Sequence, residues 1–296
     1  MRMKLKNVTP NTKIRHRNEI NTTLSQLPLS ARRLIFMAIA QVEDTKKMLP
    51  EGEIFRIRAA EYAEVADINV SVAYRQMKEG AETLQKSTLA VPRDQLLEPF
   101  QRAGTPLKPA KRASAKDAVM VLNITDYCEY SESAGYIDIR FTRTMEPYIS
   151  LLAGGYTTQV LLSATRLSET NASNLYQLIR KNISMGRWKY FDIEIDALKD
   201  ELGLFSIENG MKTYLYEAFK TFNHSFLKKS VESIKESTEL KDLSYEVCEK
   251  LGRKATKLRF SYTVSKAEVE AVDQAVIESD LERELRDIEA AGFRTE

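Results

Sequence analysis

Apolar residues recur along the first part of the chain with spacings that predict a helix-turn-helix. The stretch 27–44 is crowded with apolar side chains, which predicts a buried helix with Ser30 as its N-cap. Apolar and basic residues alternate over 54–58 as in a short strand, and a helix over about 59–66 follows. A turn then leads to a helix over about 70–85, where apolar residues three or four apart share one face: Val70, Ala73, Met77, Ala81 and Leu84.

Strand patterns complete a unit around these helices. A strand is predicted over 87–91, and two more over 118–130 and 135–144 are joined by a turn at 131–134. Strand, helix, turn, helix and hairpin is the order of elements in a winged helix-turn-helix. The first half of the chain is therefore predicted to hold one such domain.

The same order of elements recurs farther along the chain. Residues 190–202 resemble 54–65 as a short strand leading into a helix, and residues 230–240 resemble 80–90 as a helix end followed by a strand. A closing hairpin is predicted over 243–264. The offset between the copies grows along the chain, so the second copy needs a longer connection before its last helix. This pattern predicts an α+β protein with two tandem winged-helix (helix-turn-helix) domains related by internal duplication.

The segments outside the two copies have patterns of their own. Two helices are predicted between the copies, over 157–168 and 171–184, with Asn171 or Ser173 as a cap of the second. Apolar residues near the C-terminus are spaced as in an amphipathic helix. The predicted organisation is a basic N-terminal arm, a first winged-helix domain, a second winged-helix domain and an acidic helical or disordered tail, at 1–18, 19–145, 146–264 and 265–296.

Charge is distributed unevenly along a chain of 44 basic and 42 acidic residues. The arm 1–18 contains six basic residues and no acid, and the insert 101–116 contains five basic residues and no acid. The tail 265–296 has ten acids against four bases. Basic, acid-free segments on a basic body favour a polyanionic partner such as nucleic acid. The alternative is that these segments are solvated loops whose charge maintains solubility.

Few residues are available for metal or disulfide chemistry. The two cysteines, Cys128 and Cys248, and the two histidines, His16 and His224, are scattered without the spacing of a zinc site. The absence of a disulfide framework fits a reducing compartment. No apolar stretch has the length of a signal peptide core or a membrane span, so the sequence predicts a soluble, cytoplasmic protein without membrane contact.

No enzyme and no cofactor are predicted. The chain has neither a G-x-x-x-x-G-K-[ST] loop nor a G-x-G-x-x-G turn. A metal-dependent DNA nickase is a competing class, since tyrosines are plentiful, but it requires a histidine cluster that two histidines cannot supply. Cys128 or Cys248 could pair with His224 as a nucleophile and base. For Cys128, however, the apolar strand pattern favours a core thiol.

Candidate DNA contacts lie on the polar faces opposite the apolar stripes. On the first predicted recognition helix, Ser71, Arg75 and Lys78 share the outer face and Tyr74 lies beside it. Such side chains meet base edges and phosphates in a major groove. An ordinary solvated helix face is the alternative.

The second copy offers a larger polar cluster. Thr221 is predicted to cap a helix that begins at Phe222, with Leu227, Val231 and Ile234 facing inward. The predicted DNA contacts are three short polar residues in the first turn, two lysines in the second and two basic residues at the wing: Asn223, His224, Ser225, Lys228, Lys229, Arg253 and Lys254. For His224 a groove contact is favoured over a metal ligand. The wing could equally be a solvated hairpin tip.

The chain resembles the initiator Rep proteins of iteron-controlled bacterial plasmids, and most closely the pi-type initiators. The segments that carry the resemblance run in family order over about 12–264: TKIRHRNEIN, SVAYRQMKEG, RFTRTMEPYISLL, YTTQVLLSATRLS, NLYQLIRKN and GRKATKLRF. The resemblance implies two winged-helix domains, in agreement with the repeat. It places first-domain contacts at Ser71, Arg75 and Lys78 and aligns the second recognition helix over 222–234. In relatives the early positions of that helix are often arginine-rich.

The resemblance also implies a function. Monomers are expected to bind tandem direct repeats (iterons) at a plasmid origin, open it, and recruit the host initiator and helicase, with chaperones as further partners. Homodimers formed through the first domain, in equilibrium with monomers, are expected to repress the initiator's own gene at an inverted repeat and so control plasmid copy number. The second domain is expected to be the main DNA reader. The alternative is a winged-helix transcriptional regulator without origin activity.

Overall fold

The chain was analysed as a computed structural model that describes most of its length. The described residues are 8–42, 47–92, 119–131, 133–150, 152, 155–208 and 211–265. The basic insert 101–116 and all of the acidic tail except Ser265 lie outside these residues, so the expectations for them stay predictions. Within the described ranges no helix is long and apolar enough to cross a membrane.

The N-terminal segment is partly folded. Strand β1 (Lys13–Arg17) pairs antiparallel with β7 (Tyr156–Val160), far away in sequence. Ile14 and His16 are buried, and the His16 ring stacks on Phe36 with the ring centroids 6.1 Å apart. The prediction of a free basic arm over 1–18 is therefore wrong for β1, because burial of its alternate side chains holds it to the domain.

Two helices follow β1 and a 3-10 turn at Asn18–Ile20. They are α1 (Asn21–Gln26) and α2 (Leu29–Ile39). Every residue from Ala31 to Ile39 is buried, as expected for a helix that is surrounded on all sides. The predicted cap was wrong: Pro28 is the N-cap, and Ser30 lies inside the first turn. Proline's fixed φ suits the entry to a helix, so the helix begins before Ser30.

The first winged helix has the predicted order of elements. It consists of β2 (Phe55–Arg58), α3 (Ala59–Ala66), α4 (Val70–Lys86), β5 (Thr125–Ser131) and β6 (Tyr136–Phe141), with the antiparallel sheet order β2-β6-β5. Asp67 ends α3 with a left-handed φ of 55°. Asn69 starts α4, because its side chain accepts a hydrogen bond from the Ser71 backbone N–H at 2.9 Å.

The predicted long strand over 118–130 is two strands in two sheets. Strand β3 (Thr88–Pro92) pairs with β4 (Val119–Asn123) as a separate ladder, whereas β5 pairs with β6. The change of sheet occurs at buried Ile124, whose carbonyl accepts from Thr142 N–H at 3.1 Å. The chain therefore changes sheets at a residue that is itself buried. The sequence does not show this change, because its apolar pattern continues through Ile124.

The connection between the two units also departs from prediction. Its first predicted helix, over 157–168, is strand β7 followed by the short helix α5 (Leu161–Arg166). The second is α6 (Thr170–Ser184), whose N-cap is Glu169 rather than Asn171 or Ser173. Helix α5 packs against α2 and α3, while α6 packs against the last helix of the second unit. Because the connection contacts both units, the predicted boundary at 145/146 stays a prediction.

The second winged helix repeats the order with one insertion. It consists of β8 (Tyr190–Glu194), α7 (Ile195–Glu201), β9 (Phe205–Glu208), β10 (Met211–Tyr214), α8 (Phe219–Phe222), a π-helical segment (Asn223–Leu227), α9 (Lys228–Ser237), β11 (Ser244–Leu251) and β12 (Lys254–Ser261). The sheet order is β11-β12-β8. We call the continuous run from α8 to α9 the 219–237 helix.

The insertion confirms the predicted longer connection. Only residues 67–69 join α3 to α4, whereas residues 202–218 join α7 to the 219–237 helix and contain the β9–β10 ladder. The strand predicted at the end of the 230–240 segment is absent from the structure, where residues 238–243 are turns. The apolar side chains of both units belong to one continuous buried cluster.

Candidate nucleic-acid interface

Helix α4 presents the predicted polar face. Ser71 and Arg75 are exposed, four residues apart on one side of the helix, and Lys78 is half-buried one turn farther on. The Ser71 hydroxyl donates to Asn69 Oδ1 at 2.9 Å. The Lys78 Nζ lies 5.2 Å from the centroid of the Tyr130 ring on β5, so this side chain leans towards the wing.

The inner face of α4 follows the predicted stripe except at its start. Ala73, Met77, Ala81 and Leu84 are buried, but Val70 is 52% exposed. Val70 was assigned to the core because its spacing fits the stripe. It lies in the first turn, beyond the sheet and helices that cover the rest of the stripe. Tyr74 is half-buried beside the outer face, as predicted.

The start of the second recognition helix was predicted one turn too late. The 219–237 helix begins at Phe219 with Ala218 as its N-cap, and Thr221 is an exposed residue inside it. Asn223, His224 and Ser225 therefore lie in the second turn, within the π-helical segment. The sequence does not predict the earlier start, because the N-cap Ala218 has no side chain that can accept a hydrogen bond from the helix.

Core packing accounts for the π-helical turn. Phe222, Phe226 and Leu227 are all buried, and the Phe222 and Phe226 rings stack with their centroids 5.3 Å apart. A π turn accommodates one extra residue, so that both Phe226 and Leu227 can face the core. The extra residue changes the direction in which every later side chain points around the helix axis. Val231 and Ile234 remain buried, as predicted.

The polar residues of this helix are presented in two ways. His224, Lys228 and Lys229 are exposed. Asn223 and Ser225 are half-buried, and the Tyr245 hydroxyl on β11 donates to Asn223 Oδ1 at 2.6 Å. Burial, and after it the Glu232 carboxylate, raises the pKa of Tyr245, which keeps its hydroxyl a donor at neutral pH. The wing thus fixes one amide of the recognition helix.

Acidic residues occur only in the C-terminal halves of both helices. The stretches 70–78 and 219–231 contain none. Farther along, α4 carries Glu79 and Glu82, and the 219–237 helix carries Glu232 and Glu236. The N-terminus of a helix carries the positive end of its dipole, so each N-terminal half attracts phosphate while the C-terminal half repels it. This distribution of charge would favour the approach of a polyanion to the N-terminal half of each helix.

The true helix starts add candidates that sequence reasoning missed. Val70 beside Ser71 offers an apolar contact of the kind that meets a thymine methyl group. Lys220 and Thr221 are exposed in the first turns of the 219–237 helix. The signal in the sequence for a start at Phe219 is the spacing of Phe219 and Phe222, which are three residues apart and enclose two polar residues.

The second wing has the predicted composition. Its tip joins β11 to β12 through Gly252, whose φ of 61° favours glycine, and Arg253 and Lys254 are exposed there. Leu251 at the same tip is 77% exposed. Basic residues at a protruding turn suit phosphate contacts.

Neither histidine nor cysteine forms part of a cluster. Within the described residues no three or more His, Cys, Asp or Glu side chains could hold a metal ion together. His16 is buried beneath β1, while His224 is exposed on the recognition helix. Cys128 is half-buried and Cys248 is exposed. Burial raises the pKa of the Cys128 thiol, which makes it a poor nucleophile at neutral pH.

Comparisons with known proteins match both halves of the chain. The model of a family described as Initiator Replication protein, WH1, matches residues 13–180, and that of Initiator Rep protein, WH2, matches residues 194–262. The PI protein of Escherichia coli is 41% identical over 274 residues, which are 90% of this chain and 88% of that protein. A crystal structure of Pi initiator protein in complex with iteron DNA matches with a TM-score of 0.77 at 40% identity, covering 88% of this chain and 100% of that one.

These matches confirm the resemblance and the two-domain fold predicted from the internal repeat. The first winged helix lies within the WH1 match, and the second lies within the WH2 match from Glu194, the last residue of β8, onwards; α4 and the 219–237 helix are both inside matched segments. The chain belongs to the family of initiator replication proteins with two winged-helix domains, WH1 and WH2.

Proposed function

We propose that the chain is a plasmid replication initiator that binds tandem direct repeats (iterons) at its origin as a monomer. The observation that carries the proposal is the acid-free N-terminal half of each recognition helix, one in each winged-helix unit. The relative solved with iteron DNA, which shares 40% of its residues with this chain, supports the same DNA class. The function requires no catalytic group, cofactor or metal.

The two helices take different parts in this proposal. Arg75 and Lys78 on α4 contact one major-groove segment with Ser71 and Tyr74. The 219–237 helix contacts a second segment and carries most of the base discrimination through Asn223, His224, Ser225, Lys228 and Lys229. Arg253 and Lys254 contact phosphates. Because the units share one buried core, a single chain would meet two segments at a fixed spacing.

Beyond binding, we propose that monomers open the origin and recruit the host initiator and helicase, with chaperone assistance, in the cytoplasm. Homodimers would repress the chain's own gene. Within the first domain, where a dimer surface is expected, α2 is buried from Ala31 to Ile39 and offers little surface. Strand β4 remains, since it exposes Val119 at 58% and Val121 at 64% and pairs only with β3 among the described strands.

Binding is tested by titrating a labelled repeat-containing duplex and a scrambled duplex of equal length. Arg75→Ala and Lys228→Ala should each weaken binding to the repeat by about tenfold, from a loss of roughly 1–3 kcal/mol. Lys86→Ala and Lys235→Ala are matched controls, because they remove exposed lysines from the C-terminal halves of the same helices. Equal losses from all four changes would contradict an interface at the N-terminal halves.

Initiation is tested separately from binding. On a supercoiled plasmid that carries the repeats, the chain should make thymines beside them reactive to permanganate, because opened strands expose their bases. The Lys228→Ala variant should fail at the same concentration. Tight binding and repression without strand opening, even with host initiator added, would support the transcriptional regulator instead.

A further inference from the structure

A path of buried and partly buried hydrogen bonds begins at the first recognition helix. Gln76 on α4 accepts a hydrogen bond from Arg33 Nη1 at 2.8 Å. The same guanidinium donates from Nε to the Thr165 carbonyl at 2.7 Å and from Nη2 to the Leu167 carbonyl at 3.3 Å. The Thr165 hydroxyl, whose nearest acceptor is the Leu161 carbonyl of its own helix at 2.8 Å, also lies 3.1 Å from the Val65 carbonyl of α3. Helix α5 is therefore fastened to the helix-turn-helix of the first unit.

The path continues to the second recognition helix through one carboxylate. Glu239 lies two residues beyond the end of the 219–237 helix and accepts hydrogen bonds from three donors on α5 and α6. These are Ser163 Oγ at 2.5 Å, the Tyr176 hydroxyl at 2.9 Å and Arg180 Nη1 at 3.1 Å. Arg180 is almost fully buried and also donates from Nε to the Thr158 carbonyl at 2.8 Å.

The residue before Glu239 attaches this carboxylate firmly to the helix. The Thr238 hydroxyl donates to the Ile234 carbonyl at 2.8 Å and accepts from the Leu240 N–H at 3.2 Å. Thr238 and Leu240 are both buried. A displacement of Glu239 would therefore displace the C-terminal end of the 219–237 helix, and a displacement of α5 would displace α4.

We propose that Glu239 is a positioning residue that sets the spacing at which the two recognition helices meet DNA. The inference rests on the proposed function, because spacing matters only if one chain contacts two segments of a repeat. Glu239 itself lies at the C-terminal end of its helix, away from the acid-free half, so it is not assigned a DNA contact. Its carboxylate accepts from Ser163, Tyr176 and Arg180 and so joins all three to the end of the second helix.

The proposal predicts a specific kind of discrimination. One base pair inserted between the two groove segments moves them apart by about 3.4 Å and rotates one relative to the other, which a rigid pair of helices cannot follow. If Glu239 holds the helices, the wild-type chain should reject such a repeat. A chain without this clamp is held by the shared core alone, so it should reject the insertion less strongly than the wild type while it still binds each segment normally.

The test compares duplexes with the native repeat, the repeat with one inserted base pair, and each groove segment alone. The wild-type chain should lose about tenfold or more in affinity on the insertion. For Glu239→Gln, which removes the charge but not the bulk, the loss should shrink to within about threefold, with unchanged affinity for single segments. Glu236→Gln is the control, because it neutralises an exposed acid one turn earlier and should keep the full discrimination.

The outcomes separate the inference from the proposed function. A wild-type chain that binds one segment as tightly as the whole repeat would contradict two-segment binding itself. A wild-type chain that rejects the insertion, alongside a folded Glu239→Gln variant that rejects it equally, would overturn the role of Glu239 alone. If Glu239→Gln leaves Arg180 unbalanced and fails to fold, Ser163→Ala and Tyr176→Phe remove single donors and are read by the same ratio.

Discussion

Arg56 on β2 donates two hydrogen bonds to Asp138 on β6, and the second sheet holds the same ion pair with its charges exchanged between strands. The Arg56–Asp138 bonds are 2.7 and 2.5 Å long. In the second unit, Asp192 on β8 accepts from Arg259 on β12 at 2.7 and 2.8 Å. Both pairs are directly opposite in the strand registers. The two sheets therefore hold an equivalent pair with the opposite direction of charge.

A tyrosine accompanies each pair. The Arg56 guanidinium lies 3.8 Å from the centroid of the Tyr136 ring, and the Arg259 guanidinium lies 4.3 Å from that of Tyr190. In each sheet the tyrosine is two residues before the aspartate, on the same strand and face. In both sheets the arginine therefore contacts an aspartate and a tyrosine that lie on the opposite strand, and the three side chains form one cluster.

The exchange predicts that the first sheet tolerates reversal. Arg56→Asp alone should lower the free energy of unfolding by roughly 1 kcal/mol, because it sets two carboxylates opposite each other. The double variant Arg56→Asp, Asp138→Arg should recover most of that loss, since it reproduces the arrangement of the second sheet. Urea unfolding midpoints measure both effects. A double variant no more stable than the single one would show that the direction of the pair matters in this sheet.

Helices α2 and α4 approach so closely at Gly80 that a side chain there would clash with α2. A Cβ atom there would lie 2.8 Å from the Ser30 carbonyl carbon and oxygen and 2.9 Å from Leu34 Cδ1. Gly80→Ala gains up to about 1 kcal/mol in helix propensity, but overpacking costs roughly 1–3 kcal/mol. We expect a net lower thermal midpoint, whereas Glu82→Ala on the exposed side of α4 should change stability little. An increase in the Gly80→Ala midpoint would contradict this packing.

Buried His16 makes stability depend on pH. Burial lowers its pKa from 6.5 to about 4, and its ring nitrogens lie 3.2 Å from the Arg17 carbonyl and 2.9 Å from the Gln159 amide nitrogen. Below pH 6.5 the unfolded chain takes up a proton that the folded chain refuses. Above about pH 6.5 the titration of His16 therefore has no effect on the free energy of unfolding. As the pH falls towards 4, it lowers that free energy by roughly 3 kcal/mol.

The change His16→Gln isolates that contribution. Glutamine does not titrate, so the difference in unfolding free energy between wild type and variant should shift by roughly 3 kcal/mol in favour of the variant between pH 7 and pH 4. Urea titrations of both proteins at several pH values measure the difference. A constant difference over this range would show that the pKa of His16 is the same in the folded and the unfolded chain.

The sequence predicted the fold best where one face of an element is buried by nearby residues. Helices α3 and α4 were placed within a residue or two, because their apolar residues recur every three or four positions and Asn69 is a strong cap. The failures involve partners distant in sequence. The pairing of Lys13–Arg17 with Tyr156–Val160 turned five residues of the predicted arm and the first four residues of one predicted helix into strands. A short apolar run is compatible with either element until its partner is known.

The candidate interface was also predicted best where a regular apolar stripe defines the opposite, polar face of a helix. Ser71, Arg75, Lys228 and Lys229 lie on the sides of their helices that the apolar stripe predicted. The start of the 219–237 helix was not predicted correctly, because neither its π turn nor its N-cap Ala218 has a recognisable pattern in the local sequence. The bond from Tyr245 to Asn223 is likewise invisible in the sequence, since it joins the wing to the helix across the fold.

Wing residues should govern the salt dependence of binding more than its specificity. Arg253 and Lys254 are exposed at a turn and are proposed to meet phosphates, whose counterions are released on contact. Replacing either by Ala should weaken binding to repeat and random DNA alike and reduce the slope of log affinity against log salt by about 1. Lys241→Ala, an exposed lysine away from the wing tip, is the control. An unchanged slope would exclude the wing from the interface.

Tyr245 should tune which base Asn223 prefers. Recognition of adenine by asparagine uses both the amide oxygen, which accepts from N6, and the amide nitrogen, which donates to N7. Here the Tyr245 hydroxyl engages the oxygen at 2.6 Å, so the free amide N–H groups favour acceptor edges such as those of guanine and thymine. Tyr245→Phe should therefore improve the affinity for adenine at one position of the repeat by about 1 kcal/mol relative to the other bases. Affinities for duplexes with each base at every position measure this shift, and Tyr190→Phe on β8 of the same sheet is the control. The shift should vanish in an Asn223→Ala background; if it persists there, Tyr245 acts through another residue.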